Sequence, residues 1–184
     1  MKALIPVATG SESLETITIV NVLRRAGVDT CVASVTGALD VVGTRDVGFR
    51  ADALFDAIAD REFDLIVLPG GEPGARALAA HAGVMRKLTE QRMAHRWYGG
   101  ICAAPALALA PAGLLDGKQA TCYPTFRDAL LHFVDQPVVV DGHCITSQGP
   151  ATAMAFALQL VETLCGAATR NSVAEQLLFH RAAT

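Results

Sequence analysis

The sequence predicts an α/β domain of the doubly wound type. Short apolar runs alternate with segments of helical periodicity along the whole chain, a pattern typical of a mainly parallel sheet covered by helices on both faces. Of the 184 residues, 52% are hydrophobic and 18% are charged, which suits strands that are buried on both sides. This length is that of one domain with a full core, so we expect no second globular unit.

The predicted strands are apolar runs bounded by glycine, proline or polar residues. They fall at residues 2–8, 28–35, 64–68, 97–101, 119–122, 137–141 and 143–147. Asp141-Gly142 separates the last two and is typical of a tight antiparallel hairpin. The stretch 37–53 is interrupted by glycines, and we interpret it as a loop with short strands.

The predicted helices occupy the segments between these strands. They fall at residues 12–26, 74–80, 83–95, 103–112, 150–165 and 169–180. In the first of them, Leu14, Ile17 and Leu23 recur at helical spacing, and Gly27 supplies a stop signal.

The charge pattern and the cysteine content exclude several classes of protein. The formal net charge is −3 and there are only three lysines, Lys2, Lys87 and Lys118, so we expect neither a nucleic acid nor an anionic membrane surface as a partner. No segment approaches the roughly 20 apolar residues that span a bilayer, and the first apolar run is too short for a signal peptide. Five cysteines without close pairing indicate a reducing compartment, the cytoplasm.

Three segments whose residues are suited to catalysis or ligand binding follow the carboxyl ends of predicted strands. Glu15 lies in the first turn of the first helix, Gly70-Gly71 follows strand 64–68, and Cys102 follows strand 97–101. Ligands of open α/β sheets bind outside the carboxyl ends of the strands. We therefore expect these residues to converge on one crevice.

Cys102 is the first candidate catalytic residue. It occupies a strand-to-helix turn, where unpaired N–H groups and the helix dipole favour a thiolate and lower the thiol pKa. On this argument it is the most acidic of the five thiols. The alternative is a small buried cysteine that packs against the sheet.

The two other segments also allow two interpretations each. Gly70-Gly71 can expose N–H groups that bind an oxyanion, or can form an ordinary strand-to-helix turn. Glu15 can be a buried acid with a raised pKa that exchanges a proton with sulfur, or a carboxylate that stabilises a helix N-terminus.

No metal or nucleotide site is predicted. The five histidines, at 81, 95, 132, 143 and 180, show no metal-ligand spacing. His143-Cys144 with Cys122 is the one arrangement that could hold a metal, and two neighbouring ligands with one distant cysteine are too few for us to accept it. Nucleotide-binding loops and the His-Glu-x-x-His motif are absent, so we expect no cofactor.

Six separated motifs together resemble the ThiJ/PfpI superfamily and, within it, the bacterial ThiJ-like members of the DJ-1 branch. In chain order they are Ser13-Leu14-Glu15-Thr16, Arg24-Arg25-Ala26-Gly27, Arg45-Asp46-Val47, Leu68-Pro69-Gly70-Gly71, Ile101-Cys102-Ala103-Ala104-Pro105 and Thr146-Ser147-Gln148-Gly149-Pro150. The resemblance implies one flavodoxin-like sandwich, of the class I glutamine amidotransferase-like type, over residues 1–184. It also implies a homodimer and a cysteine in a strained turn.

The resemblance also implies roles for individual residues. Cys102 matches the reactive cysteine and Glu15 its protonated acid partner, while Gly71 and Ala103 match the backbone N–H donors around the sulfur. Gly70 and Tyr123 match pocket positions of the family, and Glu12, Arg25 and Arg45 match charged positions near its dimer interface.

Two positions depart from the patterns of related branches. Ala103 replaces the histidine that follows the cysteine in protease-like members, so no sequential Cys-His pair is present and peptidase activity is not expected. Tyr123 stands where human-like members carry a histidine before proline. A base must then come from Glu15, water or the substrate.

The resemblance implies a cofactor-free glyoxalase or deglycase that acts on dicarbonyls such as methylglyoxal or on their early adducts with thiols and amines. The alternative is a redox-sensing, chaperone-like stress protein in which Cys102 is oxidised to the sulfinic acid and turnover is incidental. Hydrogen bonds that stabilise a thiolate also hold a sulfinate, so the sequence leaves both open.

Overall fold

A seven-stranded sheet organises the chain in a computed structural model that describes residues 1–179. The strands are β1 (Lys2–Val7), β2 (Asp29–Ser34), β3 (Asp40–Val42), β4 (Gly48–Arg50), β5 (Ala53–Leu54), β6 (Leu65–Leu68), β7 (Trp97–Ile101), β8 (Val138–Asp141) and β9 (Cys144–Ser147). The large sheet has the order β5-β2-β1-β6-β7-β9-β8, and β3 and β4 form a separate antiparallel pair. Within the large sheet, β8 pairs antiparallel with β9 and the other pairs are parallel.

Helices cover both faces of this sheet. The α-helices are α1 (Ser13–Arg25), α2 (Glu72–Ala80), α3 (Ala82–Met93), α4 (Ala153–Cys165) and α5 (Ala167–Gln176). Side chains of α1, α4 and α5 share one hydrophobic core with Ala3 and Ile5, while those of α2 and α3 share a second core with Leu4. Successive residues of a strand point to opposite faces, so β1 contributes to both cores. The doubly wound fold expected from the sequence is confirmed.

Most predicted elements match, including the hairpin that β8 and β9 form around Gly142. The glycine-rich stretch 37–53 contains the short strands β3 and β4, as expected. The predicted helix 150–165 begins with a single 3₁₀ turn, Pro150–Thr152, before α4. The predicted helix 83–95 ends at Met93, and of the predicted helix 169–180 the last residue lies outside the described residues.

Two predicted elements are wrong. Segment 119–122 forms a single β-bridge, between Ala120 and Phe133, and no strand. The next N–H group, that of Thr121, donates to the Thr146 hydroxyl and is therefore not available for hydrogen bonding to a neighbouring strand. The predicted helix 103–112 is a π-helical turn, Pro105–Leu109, followed by further turns. There the Ala110 N–H reaches back to the Pro105 carbonyl over five residues, which is the hydrogen bond of a π-helix.

Among residues 1–179, no helix is both long enough and apolar enough to cross a membrane. The carboxyl ends of three adjacent parallel strands, β1, β6 and β7, meet at one edge of the sheet. The segments that follow them carry Glu15, Gly70 and Cys102.

Candidate active site

Cys102 occupies a strained turn directly after β7. Its φ is +63°, a left-handed value that costs a non-glycine residue about 1–3 kcal/mol. Its N–H donates to the Ser147 carbonyl at 2.9 Å, and its carbonyl accepts from the Tyr123 N–H at 2.8 Å. Because both backbone groups are bonded to other segments, tertiary contacts hold the turn in this conformation. The thiol is half-buried.

Glu15 is completely buried beside this turn. It lies in the first turn of α1 with no exposed surface, and its Oε2 accepts the Gly70 N–H at 2.8 Å. Its Oε1 has no hydrogen-bond partner among residues 1–179. Burial raises the pKa of Glu15 to about 7, while the Gly70 N–H and the Cys102 side chain oppose this shift. The carboxyl group therefore titrates near neutral pH.

Gly70 separates the two reactive side chains and touches both. A Cβ atom at this position would lie 2.7 Å from Glu15 Oε2 and 3.0 Å from Cys102 Sγ, and it would overlap the Cβ of Cys102. Gly71 has φ of +80°, and a Cβ there would overlap the Gly10 carbonyl oxygen. The two glycines thus allow Glu15, Cys102 and the backbone to approach one another.

The backbone N–H groups of Gly71 and Ala103 point towards the sulfur and lower the pKa of the Cys102 thiol. Burial outweighs them and, with the nearby Glu15 carboxylate as second cause, raises this pKa to about 12. The lowered pKa expected from a helix N-terminus is therefore wrong, because the following helix is one π-helical turn and desolvation dominates.

The other cysteines also lie in apolar surroundings. Burial raises the pKa of Cys122 to about 11 and that of Cys144 to about 12, and it raises the pKa of Cys31 as well. The expectation that Cys102 is the most acidic thiol has no support from these shifts, because burial raises the pKa of Cys102 as it raises those of the other three. Cys102 differs from them in its contact with a carboxyl group that can accept its proton.

The raised pKa of Glu15 predicts a pH-dependent stability. Its folded-state pKa is about 7 against a reference value of 4.5, so the folded state binds the proton more tightly. The stabilisation from this group is complete below pH 4.5 and is lost as the pH rises through about 7. The difference corresponds to about 3 kcal/mol. Glu15→Gln should remove this loss, so that urea unfolding shows the variant gaining stability relative to wild type between pH 5 and 8.

Glu175→Gln is the matched control, because Glu175 is an exposed carboxylate on α5. Its stability should follow that of wild type across the same pH range. Equal pH dependence in wild type and Glu15→Gln would contradict the buried, proton-binding state of Glu15.

Tyr123 lies next to the cysteine turn. Its side chain is 41% exposed, its ring packs against Phe126 with centroids 6.5 Å apart, and a Cβ at Gly149 would approach this ring to 3.2 Å. Its backbone N–H donates to the Cys102 carbonyl and so stabilises the cysteine turn. The hydroxyl makes no hydrogen bond to another residue of the described chain.

The three charged positions expected near a dimer interface lie around α1. Glu12 caps α1 by accepting from the Leu14 N–H at 3.2 Å, and it also accepts from the Thr44 hydroxyl at 2.7 Å. Arg25 is exposed and donates to Asn21 at 2.9 Å, and Arg45 is exposed with φ of +58°. Within residues 1–179, neither arginine is hydrogen-bonded to Glu15 or Cys102.

The sequence interpretation missed the contribution of Ser147. Its carbonyl anchors the Cys102 N–H, and its hydroxyl donates to the Pro137 carbonyl at 2.7 Å. The signal was available, because Ser147 belongs to one of the six motifs and ends the strand next to β7. No group of three or more possible metal ligands occurs within residues 1–179.

The chain is similar to proteins of known family over most of its length. The model of the DJ-1/PfpI family matches residues 1–163. Protein DJ-1 homolog A of Arabidopsis thaliana is 44% identical over 165 residues, which are 89% of this chain and 42% of that relative. The chain thus spans less than half the length of this relative.

Two further relatives match along nearly their whole length. Glutathione-independent glyoxalase DJR-1.2 of Caenorhabditis elegans is 32% identical over 171 residues, 91% of this chain and 90% of the relative. A solved structure described as Toxoplasma gondii DJ-1, oxidized, has a TM-score of 0.95 and 37% identity, and it covers 97% of this chain and 98% of its own.

Proposed function

The chain belongs to the DJ-1/PfpI family, and from this premise we propose that it is a cysteine-dependent enzyme that isomerises and hydrates small reactive dicarbonyls without a cofactor. The observation that carries the proposal is the pairing of Glu15 and Cys102 across Gly70. A buried carboxyl group with a pKa of about 7 and an unpartnered oxygen is suited to repeated proton transfer. A relative named as a glutathione-independent glyoxalase supports this substrate class.

The first step proposed is addition of sulfur to the aldehyde of methylglyoxal. An S–C bond forms while the thiol proton passes to the Glu15 carboxylate. This transfer makes the raised pKa of the free thiol compatible with attack, because the thiolate needs to exist only as the bond forms. Negative charge on the former carbonyl oxygen is stabilised by the N–H groups of Gly71 and Ala103. Glu15 then returns the proton to this oxygen, which gives a hemithioacetal and leaves Glu15 as a carboxylate.

The second step is a proton transfer between adjacent carbons. Glu15 removes the proton from the carbon bonded to sulfur and a proton is returned to the former ketone carbon, which yields a lactoyl thioester on Cys102. Water then cleaves the thioester and releases lactate and the thiol. The aldehyde carbon is oxidised and the ketone carbon is reduced by the same two electrons, so the reaction requires no external oxidant or reductant. Early adducts of dicarbonyls with thiols or amines present the same carbons.

The direct test is turnover by the purified chain with methylglyoxal, in the presence of a chelator and without glutathione. Lactate should form at a rate proportional to protein concentration. Failure to form lactate at millimolar methylglyoxal, by a protein whose circular dichroism shows the α/β fold, would contradict the proposal. Peptidase activity is not proposed, because Ala103 follows the cysteine.

The second candidate function is redox sensing with chaperone-like action, and the two N–H groups beside the sulfur favour it. The same donors that lower the pKa of Cys102 would bind the oxygens of a sulfinate. The five cysteines are all free thiols, in accord with the reducing, cytoplasmic compartment that we propose.

Mild peroxide should therefore convert Cys102 to the sulfinic acid before the other cysteines change. Cys165 is the internal control, because it is also a half-buried free thiol but lies at the end of α4. Peptide mass spectrometry over a time course measures both sites. Oxidation of Cys165 ahead of Cys102 would contradict stabilisation by the Gly71 and Ala103 N–H groups.

We also propose a homodimer that forms through an exposed apolar surface beside the site. This α1–hairpin patch consists of Leu14 and Ile17 on α1 with Val42 and Val47 around the β3–β4 pair, at 52%, 50%, 49% and 44% exposure. Hydrogen bonds from the Gly10 N–H to the Val42 carbonyl and from the Ser13 hydroxyl to the Val47 carbonyl join the pair to the start of α1. Such a patch marks an interaction surface. A second copy there would approach Glu12 and Arg45.

Sedimentation should give twice the chain mass of 19.3 kDa. Ile17→Asp should shift the protein to monomer, because it places a charge within the buried interface. Leu131→Asp is the matched control, since Leu131 is 86% exposed and lies outside the patch. A wild-type monomer at micromolar concentration, or dimers in both variants, would contradict the proposed interface.

A further inference from the structure

We propose that a cavity at the opposite edge of the sheet binds a small phosphate-bearing anion through Lys87. The cavity has a volume of about 350 Å³. Its lining includes Phe63, two residues before β6, and Arg96, directly before β7. It therefore lies at the amino ends of the strands whose carboxyl ends carry Gly70 and Cys102. The inference does not depend on the proposed dicarbonyl chemistry.

Lys87 is a buried cation without a carboxylate partner. It lies on α3 with 7% of its surface exposed, and its Nζ donates to the Arg61 carbonyl at 2.6 Å. Among residues 1–179, no carboxylate oxygen lies within 4.0 Å of this nitrogen. An ammonium group has three donor hydrogens, so two remain for a ligand. Burial of an unpaired charge costs several kcal/mol, which an anion in the cavity would offset.

A second cation, Arg61, lies against the same aromatic ring as Lys87, that of Phe63. The Arg61 guanidinium lies 5.4 Å from the centroid of the Phe63 ring, and Lys87 Nζ lies 5.8 Å from it. Within residues 1–179, the carboxylate that pairs with Arg61 is Asp29, at 3.7 Å, and no hydrogen bond joins the two side chains. Most donors of this guanidinium are therefore available.

The cavity also contains acidic side chains, and the ion pairs that they form determine where positive charge remains. Four basic and three acidic side chains line it. Glu62 pairs with Arg96 at 3.2 Å, and Glu90 pairs with Arg86 at 3.8 Å. The remaining carboxylate, Asp60, is exposed. Asp29, which lies outside the lining, pairs with Arg61 at 3.7 Å, so within residues 1–179 the lining cation without an acidic partner is Lys87.

Gln91 holds Arg96, one of the ion-paired residues of the cavity lining, by a hydrogen bond. It is 2% exposed, its amide nitrogen donates to the Trp97 carbonyl at 3.0 Å, and its oxygen accepts from Arg96 Nε at 2.8 Å. The same guanidinium pairs with Glu62. A phosphate group matches this arrangement, because its oxygens can accept from the Lys87 ammonium and from the N–H groups of Arg61 that Asp29 does not use.

Titration with inorganic phosphate, followed by amide chemical shifts at constant ionic strength, tests the proposal. Wild type should show saturable shifts confined to residues 86–91 of α3, to residues 59–66 and to Arg96. Lys87→Met keeps the apolar stem of the side chain and removes the charge, and it should weaken the affinity by roughly tenfold or more. Lys118→Met is the matched control, because Lys118 is a partly buried lysine that bonds to Asp141.

Three outcomes would overturn the proposal. They are shifts that grow linearly with phosphate, equal affinity in wild type and Lys87→Met, and equal affinity for acetate and phosphate. Arg61→Gln provides the test should Lys87→Met fail to fold, since it keeps the carbonyl that accepts from Lys87, and unchanged phosphate affinity in this variant would contradict a site formed by Lys87 and the Arg61 N–H groups. Methylglyoxal turnover should be unchanged in all three variants.

Discussion

Replacement of Cys102 with alanine should reduce lactate formation from methylglyoxal by more than about 100-fold, because the variant lacks the only atom that can bond to the aldehyde in the proposed reaction. The fold should survive this change. The thiol is small and half-buried, and the backbone of the turn is held by the Ser147 carbonyl and the Tyr123 N–H, neither of which involves the side chain.

Cys165→Ala is the matched control for this experiment. Cys165 is half-buried as Cys102 is, but it ends α4. The control should keep the turnover of wild type, and urea unfolding should report similar stability for both variants. Residual activity above a tenth of wild type in Cys102→Ala would favour the redox-sensing function, in which turnover is incidental.

Glu15→Gln should lower turnover by about 10²–10⁴-fold, the usual contribution of a positioned acid-base group. The amide oxygen can still accept from the Gly70 N–H, so the geometry around Cys102 is preserved. The thiol pKa should fall, since the Glu15 carboxylate is one of the causes that raise it. Glu15→Leu should lose the same turnover and also destabilise the fold, because the buried Gly70 N–H loses its partner.

Two readouts separate proton transfer from packing in this pair of variants. Wild-type turnover should rise as the pH passes through about 7, where the carboxylate becomes available as a base, and this rise should be absent in Glu15→Gln. A pH titration of thiolate absorbance should show a lower Cys102 pKa in Glu15→Gln than in wild type. Glu15→Gln with wild-type turnover and an unchanged pH profile would assign Glu15 to packing alone.

The sequence alone predicted which segments meet at the candidate site. Glu15, Gly70 and Cys102 follow strands whose carboxyl ends must lie at one edge of a parallel sheet, so the alternation of strands and helices was sufficient to bring them together. The short strands in 37–53 and the β8–β9 hairpin were also predictable, because glycine and Asp141-Gly142 are local turn signals.

Other features were decided only by tertiary structure. The direction of the Cys102 pKa shift depends on how deeply the sulfur is buried and on the Glu15 carboxylate, and both depend on packing between segments far apart in the chain. The predicted strand 119–122 failed for the same reason, since a side chain of β9 takes the N–H that a ladder would use. Lys87 is likewise a buried, unpaired cation only because α3 packs it against Phe63. Local sequence sets the order of elements, whereas desolvation and hydrogen-bond competition arise only once those elements pack.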